Sequence, residues 1–283
     1  MLLGYHVRKT DKSIIPSIKE SLEVGSKHGF DINYVQIYVI GPNNSYEILT
    51  TEEKKELKEL NINILVHGSH LDHILGNKHK YTVMNIKREL NICREIKAIG
   101  LIIHIPNKKA SEIANALDEI MYKEVSDIKI YLEMDNYNKD VKYKYTEISN
   151  LKKLFKLISE KEYAVNIGLG IDTAHLWTSG VNIEGYKDAN KWLSQLSKIN
   201  TRNIILQLND QKWDYGSGSD EHQSLTYGTI WTSYNNKNFN NIKESGLMAF
   251  IEWAIDNKII TILERKTLFE IEKDLLVLSM ILN

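Results

Sequence analysis

Cysteine occurs once in this chain of 283 residues, at Cys93, and proline only three times. A lone cysteine excludes an internal disulfide framework and suits an intracellular, reducing compartment. It stands at helical spacing with Leu90 and Ile96, the pattern of a packed core thiol. No apolar run approaches the ~18 residues of a membrane span. The opening MLLGYHVRKT lacks the cationic segment and apolar stretch of a secretion signal. Net charge is missing too: 36 basic against 37 acidic residues leave −1. Bulk attraction to a polyanion is therefore excluded, although a local basic rim is not. No linker rich in Gly, Pro or Ser divides the chain, so residues 1–283 read as one domain. No exposed apolar helix face stands out, and a monomer is expected.

What the sequence does have is a repeat of architecture. Short β-rich runs occur at Leu2–His6, Tyr34–Val39, Asn63–His67, Ile99–His104, Ile128–Glu133, Val165–Ile171, Ile204–Leu208 and Ile259–Glu264. Amphipathic stretches with a period near 3.6 lie between them at Ser13–His28, Thr82–Lys97, Ser111–Tyr122 and Ile148–Ser159. Strand runs recurring mostly about 30 to 40 residues apart, alternating with helices, predict a (β/α)8 barrel. Several runs are apolar on both faces, as strands of a parallel sheet must be. The longest irregular stretch, Gln211–Asn241, follows the seventh strand, where long loops usually carry function.

The ends of these strands carry the chemistry. His6, His67, His104, Glu133, Asp172, Gln207 and Glu264 close or directly follow apolar runs, and His175 stands three residues past Asp172. Asp220 and His222 form a D-x-H pair in the long loop. Singly, such a histidine or glutamate is more often structural or ion-paired. Eight on one rim point to metal, since Zn²⁺ takes imidazole nitrogen and carboxylate oxygen at about 2.0–2.2 Å. Four imidazoles (His67, His104, His175, His222) and four carboxylates (Glu133, Asp172, Asp220, Glu264) are too many for one ion and enough for two or three. The imidazole share argues against plain Mg²⁺ or Ca²⁺ sites.

In order and spacing these pieces resemble the endonuclease IV family of zinc-dependent apurinic/apyrimidinic (AP) endonucleases over nearly the whole length. GYHV is similar to the family's opening, LVHGSHL and LIIHIPN to its two histidine segments, and LEMDN to its bridging glutamate. GIDTAHLWTSGVNI, GSDEHQSL and TILERK match its later acid and histidine elements. The resemblance implies Zn²⁺ held by His67, His104 and Glu133 at one position. Glu133, Asp172, Glu264 and Gln207 are implied at a second, with His175, Asp220 and His222 at a third. It implies two or three ions, with Glu133 and Glu264 as the catalytic carboxylates. The substrate implied is double-stranded DNA with an abasic site, cut 5′ to the lesion to leave a 3′-hydroxyl. His70 and Leu71 stand where the family places residues that push into the duplex. Trp177, Trp213, Tyr215, Tyr227 and Trp231 are candidates to line the DNA groove, and Arg265 and Lys266, just past the eighth strand, to contact phosphate.

One departure bears on the metal. Where the family has H-L-N-D, this chain has Gln207-Leu208-Asn209-Asp210, and an amide oxygen is a neutral, weaker ligand than imidazole. Two alternatives share the scaffold. Sugar isomerases or epimerases of the xylose-isomerase type need a carboxylate-dominated site, and the separate pair Asp220/His222 favours the nuclease over them. A lesion-binding homologue weakened in catalysis by Gln207 is the other.

Overall fold

A computed structural model describes residues 1–9, 13–41, 46–70, 79–122, 128–138, 140–234 and 239–282. Its strands are β1 (Leu2–Val7), β2 (Ile32–Tyr38), β3 (Asn63–His67), β4 (Gly100–His104), β5 (Lys129–Glu133), β6 (Ile167–Asp172), β7 (Ile204–Gln207), β8 (Asp210–Gln211), β9 (His222–Gln223) and β10 (Ile260–Leu263). The α-helices are α1 (Ile14–Lys27), α2 (Thr51–Glu59), α3 (His79–Glu95), α4 (Ala110–Met121), α5 (Ile148–Ser159), α6 (Thr173–Thr178), α7 (Tyr186–Leu193), α8 (Gly246–Asp256) and α9 (Leu268–Leu282). Eight strands close into a parallel barrel in the order β1-β10-β7-β6-β5-β4-β3-β2, so the expected (β/α)8 fold is present. β8 and β9 form a separate antiparallel pair at the start of the long stretch after β7.

Side chains of a strand alternate between its two faces, and this alternation builds the barrel in layers. Leu65, Ile102, Tyr131, Ile205 and Ile262 form an apolar cluster of their own, apart from the larger core that the helices cover. Each belongs to a different strand, and each lies two residues before a polar strand-end residue: His67, His104, Glu133, Gln207 and Glu264. On β6 the corresponding inner positions are Gly168 and Gly170. A Cβ on Gly100 or on Gly168 would come within 2.6 Å of the Tyr131 ring, so those two glycines make room for it. The apolar layer fills the barrel and leaves the polar layer above it facing the C-terminal rim.

The start of β6 differs from the sequence expectation. Val165 does not begin a strand: it is 76% exposed, inside a short 3-10 turn at Ala164–Asn166, and β6 begins at Ile167. Helices α2, α6, α7, α8 and α9 also join the four read from periodicity. No helix among the described residues is long and apolar enough to cross a membrane.

Candidate metal centre

The polar layer gathers every residue expected to ligate metal. His67, His104 and Glu133 end β3, β4 and β5, Asp172 ends β6 and caps α6, and Gln207 ends β7. His175 lies in the first turn of α6, His222 begins β9, and Glu264 directly follows β10. With Asp220 and His70, most of these line one cleft of about 200 Å³.

Glu133, 1% exposed, is the hub. Its Oε2 lies 3.3 Å from His67 Nε2 and 3.4 Å from His104 Nε2, and its Oε1 lies 3.2 Å from His175 Nδ1. Backbone and carboxylate groups fix the imidazole rings from behind. His67 Nδ1 donates to the Gly68 carbonyl at 2.8 Å, His104 Nδ1 to Asp135 Oδ1 at 3.2 Å, and His175 Nδ1 to the Met134 carbonyl at 2.8 Å. A proton held on Nδ1 leaves the Nε2 lone pair turned to the cleft, the usual support for a metal-binding histidine.

The other half is built around Asp172 and Glu264. Asp172 Oδ1 caps α6 by accepting from Ala174 N at 2.6 Å and His175 N at 3.2 Å, and Oδ2 accepts from Asn209 Nδ2 at 2.7 Å. His222 Nε2 lies 3.4 Å from Asp172 Oδ2 and 3.1 Å from Asp220 Oδ1, while its Nδ1 is 3.2 Å from Glu264 Oε2. Gln207 Nε2 donates to Glu264 Oε1 at 2.9 Å. Gln36 Nε2 donates to the same oxygen and also to His6 Nδ1, 2.7 Å away.

Charge and burial oppose each other here. Burial would push Glu133 up, but the facing imidazoles, His104 foremost, hold it well below the ordinary glutamate range. Glu264 is likewise pushed up by burial and brought well down by hydrogen bonds from His222 and His6. His104, His175 and His222 should be lowered by burial, yet their carboxylate neighbours raise all three well above the usual histidine value. Asp172 goes the other way. Burial raises it, and repulsion from Glu264 and Glu133 adds to that against the pull of His175 and His222. Burial, followed by repulsion from His67 and His104, lowers His70 to about 4.

These donors fit a metal. Glu133 Oε2, Gln207 Oε1 and His222 Nε2 are buried and have no hydrogen-bond partner. Oxygen and imidazole donors that converge without hydrogen bonds between them are the pattern a cation satisfies. Two compact groups stand out among the described residues: His67, His70 and His104, and Asp172, His175 and His222. Within each, one ligand atom per residue lies within 4.8 Å of the others. Asp172 and His175, expected on two different ions, lie close enough together to fall within one of these groups.

Several expectations at the DNA side resolve differently. Arg265 is 4% exposed, its Nε 2.5 Å from Asp274 Oδ2, and its Nη1 donates to Asn209 Oδ1 at 2.7 Å. Its guanidinium is held between the strand ends and α9, where burial requires a paired charge. Trp177 is 8% exposed and donates Nε1–H to Thr229 Oγ1, and Trp231 is fully buried. Trp213, Tyr215 and Tyr227 do reach solvent. Leu71 lies outside the described residues. Sequence reasoning missed Gln36, Asn209 and Asp135. Gln36 had a signal, a polar residue in the middle of the apolar run YVQIYVI and the register partner of His6.

Fold and site together define a (β/α)8 barrel with a histidine–carboxylate candidate metal centre on its C-terminal rim. The family described as xylose isomerase-like TIM barrel matches residues 22–268. A probable AP endonuclease of African swine fever virus (isolate Pig/Kenya/KEN-50/1950) is 36% identical over 264 residues, covering 90% of this chain and 86% of the relative. A probable endonuclease 4 of Malacoplasma penetrans is 26% identical over 275 residues, covering 89% and 90%. Among solved structures, the chain is similar to AsfvAP:AG, with a TM-score of 0.90, 32% identity, and coverage of 100% and 99%. A D-tagatose 3-epimerase-like protein (TM-score 0.69, 19% identity, coverage 100% and 97%) shares the fold. The chain belongs to the endonuclease IV family of AP endonucleases, within the xylose isomerase-like TIM barrels.

Proposed function

We propose that this chain is a zinc-dependent endonuclease that hydrolyses the phosphodiester 5′ to an abasic site in double-stranded DNA. Its substrate reading comes from the relatives named AP endonuclease and endonuclease 4. The observation that carries the mechanism is Glu133, buried at the hub with three imidazoles within 3.4 Å of its two oxygens. His67, His104 and Glu133 would hold one ion, and His175, Asp220 and His222 another. Asp172, Glu264 and the Gln207 amide oxygen would complete the set. Ions bound there would supply Lewis-acid stabilisation of the phosphoryl oxygens and make water acidic enough to attack near neutral pH.

The chain's own groups do the rest. Glu133 and Glu264 would orient the attacking water; its proton passes to solvent, which also protonates the departing oxygen. As the new oxygen–phosphorus bond forms, the bond from phosphorus to the 3′ oxygen breaks. The leaving oxygen ends as a 3′-hydroxyl, and the 5′-phosphate stays with the lesion. Lys266, exposed on the rim, is placed to meet backbone phosphate. Selectivity needs no base reading, since a missing base lowers the cost of kinking and flipping the backbone.

Product chemistry tests this. An end-labelled duplex with one abasic analogue should yield a fragment that a DNA polymerase extends directly. A fragment blocked at its 3′ end, or one cut on the 3′ side, would refute the assigned bond.

A further inference from the structure

The geometry points to His70 as a fourth protein ligand for the ion that His67, His104 and Glu133 hold, a role that rests on the metal centre proposed above. The turn after β3 is clamped so that His70 returns over the barrel mouth. Gly68 N donates to the Ile102 carbonyl at 2.8 Å, and Ser69 N to Glu89 Oε1 at 3.0 Å. Gly68 packs closely on β4: a Cβ there would lie 3.0 Å from both the Ile102 carbonyl oxygen and Ile103 Cγ2. A larger residue would push this turn, and His70 with it, off its seat.

The His70 ring centroid lies 5.3 Å from that of His67 and 5.3 Å from that of His104. One ligand atom from each of the three rings lies within 4.8 Å of the others, so small rotations of the rings would bring all three to the about 2.0–2.1 Å that a zinc–nitrogen bond requires. Tyr38, rising from the same inner face of β2 as Gln36, places its hydroxyl 3.0 Å from His70 Nε2. A hydroxyl behind an imidazole holds the ring's direction, as other groups do for His67, His104 and His175. With Nε2 held by Tyr38, Nδ1 is the His70 nitrogen left for the ion, the reverse of His67, His104 and His175.

Donor count gives this its consequence. His67, His104 and Glu133 are three protein ligands, the number of an open, catalytic zinc site. With His70 they become four, the number of a closed tetrahedral one. An ion nearest β3 and β4 would then be anchored by four protein side chains. Had His70 instead been a wedge for the duplex, its ring would be needed for size and not for nitrogen.

Metal binding separates the two roles. Purified, metal-free wild type, His70→Ala and His70→Phe are titrated with Zn²⁺ against a chromophoric chelator, with far-UV circular dichroism to confirm folding. One zinc site should weaken by at least about tenfold in both variants while the other sites keep their affinity. Cobalt-substituted wild type should show the intense visible bands of a four-coordinate ion, and both variants should lose them at one site. Equal zinc affinity in all three proteins would overturn the assignment, as would cobalt spectra unchanged in His70→Phe. Wild type that takes up no zinc at all would instead sink the metal centre itself.

Discussion

Gln207 donates its amide hydrogen to Glu264 Oε1 across 2.9 Å. Gln36 donates to the same oxygen from β2, on the other side of β10 from Gln207, so two neutral amides steer one carboxylate. The Gln207 carbonyl oxygen is left buried without a hydrogen-bond partner. At a position that would suit an imidazole, this side chain offers one weak oxygen ligand and spends its other end positioning Glu264.

Replacing Gln207 by His should therefore raise the zinc retained after dialysis, because imidazole outranks an amide oxygen for this ion. Elemental analysis per chain reads the result. Unchanged zinc content would mean that the Gln207 position is not a limiting ligand.

Gly170 faces Glu133 from β6, and a Cβ there would meet Glu133 Cα at 3.0 Å and Cβ at 3.1 Å. Gly170→Ala should leave the barrel folded while shifting the hub carboxylate, with zinc affinity down by about ten- to a hundredfold. Thermal melting and zinc titration together check this. A variant that melts as wild type does and binds zinc equally would show that Glu133 tolerates displacement.

Away from the rim, Glu53 ties α2 to the start of α1. It is 3% exposed. It accepts from Ile14 N at 2.8 Å, Thr50 N at 2.8 Å and Lys9 Nζ at 2.6 Å. Burial would raise its pKa, but these donors, led by Lys9, bring it below the ordinary value. A folded pKa below the unfolded one means that the unfolded chain binds more protons in that window. The stabilisation is thus present above the ordinary glutamate value, about 4.3, and is lost as pH falls through the folded pKa. Glu53→Gln should cost about 2 kcal/mol near neutral pH and little in acid. Urea unfolding at the two pH values reads the difference, and an equal cost at both would contradict the assignment.

Arg265 and Asp274 form a pair shut away from water, at 4% and 0% exposure. Arg265→Met leaves Asp274 buried with its charge uncompensated, and a loss of about 3–5 kcal/mol is expected. Replacing both, Arg265→Met with Asp274→Leu, should recover much of it. A single variant as stable as wild type would return Arg265 to the role of a surface phosphate contact.

The barrel was legible because its strands are apolar on both faces, and the site because those runs end in acids and imidazoles. The same logic failed where partners are distant in sequence. Nothing near Arg265 announces Asp274, nine positions on, and nothing near Trp177 announces Thr229, so both read as DNA contacts. Gln36 was passed over because its neighbours make it look like strand filler, although it stands two residues before Tyr38 on the inward face. Helices α8 and α9 are too apolar all round for a 3.6-residue stripe to show. Helix α2 is the reverse, almost wholly polar, and its capping box Thr50/Glu53 was the one usable sign. Val165 misplaced the start of β6 because a β-branched residue in a 3-10 turn looks like strand.

The central claim, metal-dependent incision at an abasic site, is tested most directly by one assay on the purified protein. A labelled duplex carrying a single abasic analogue is incubated with the enzyme as isolated, after stripping with a strong chelator, and after zinc is restored. The account predicts a single cut in the first case, none in the second and recovery in the third. An intact duplex with zinc restored, or incision that survives complete chelation, would contradict it.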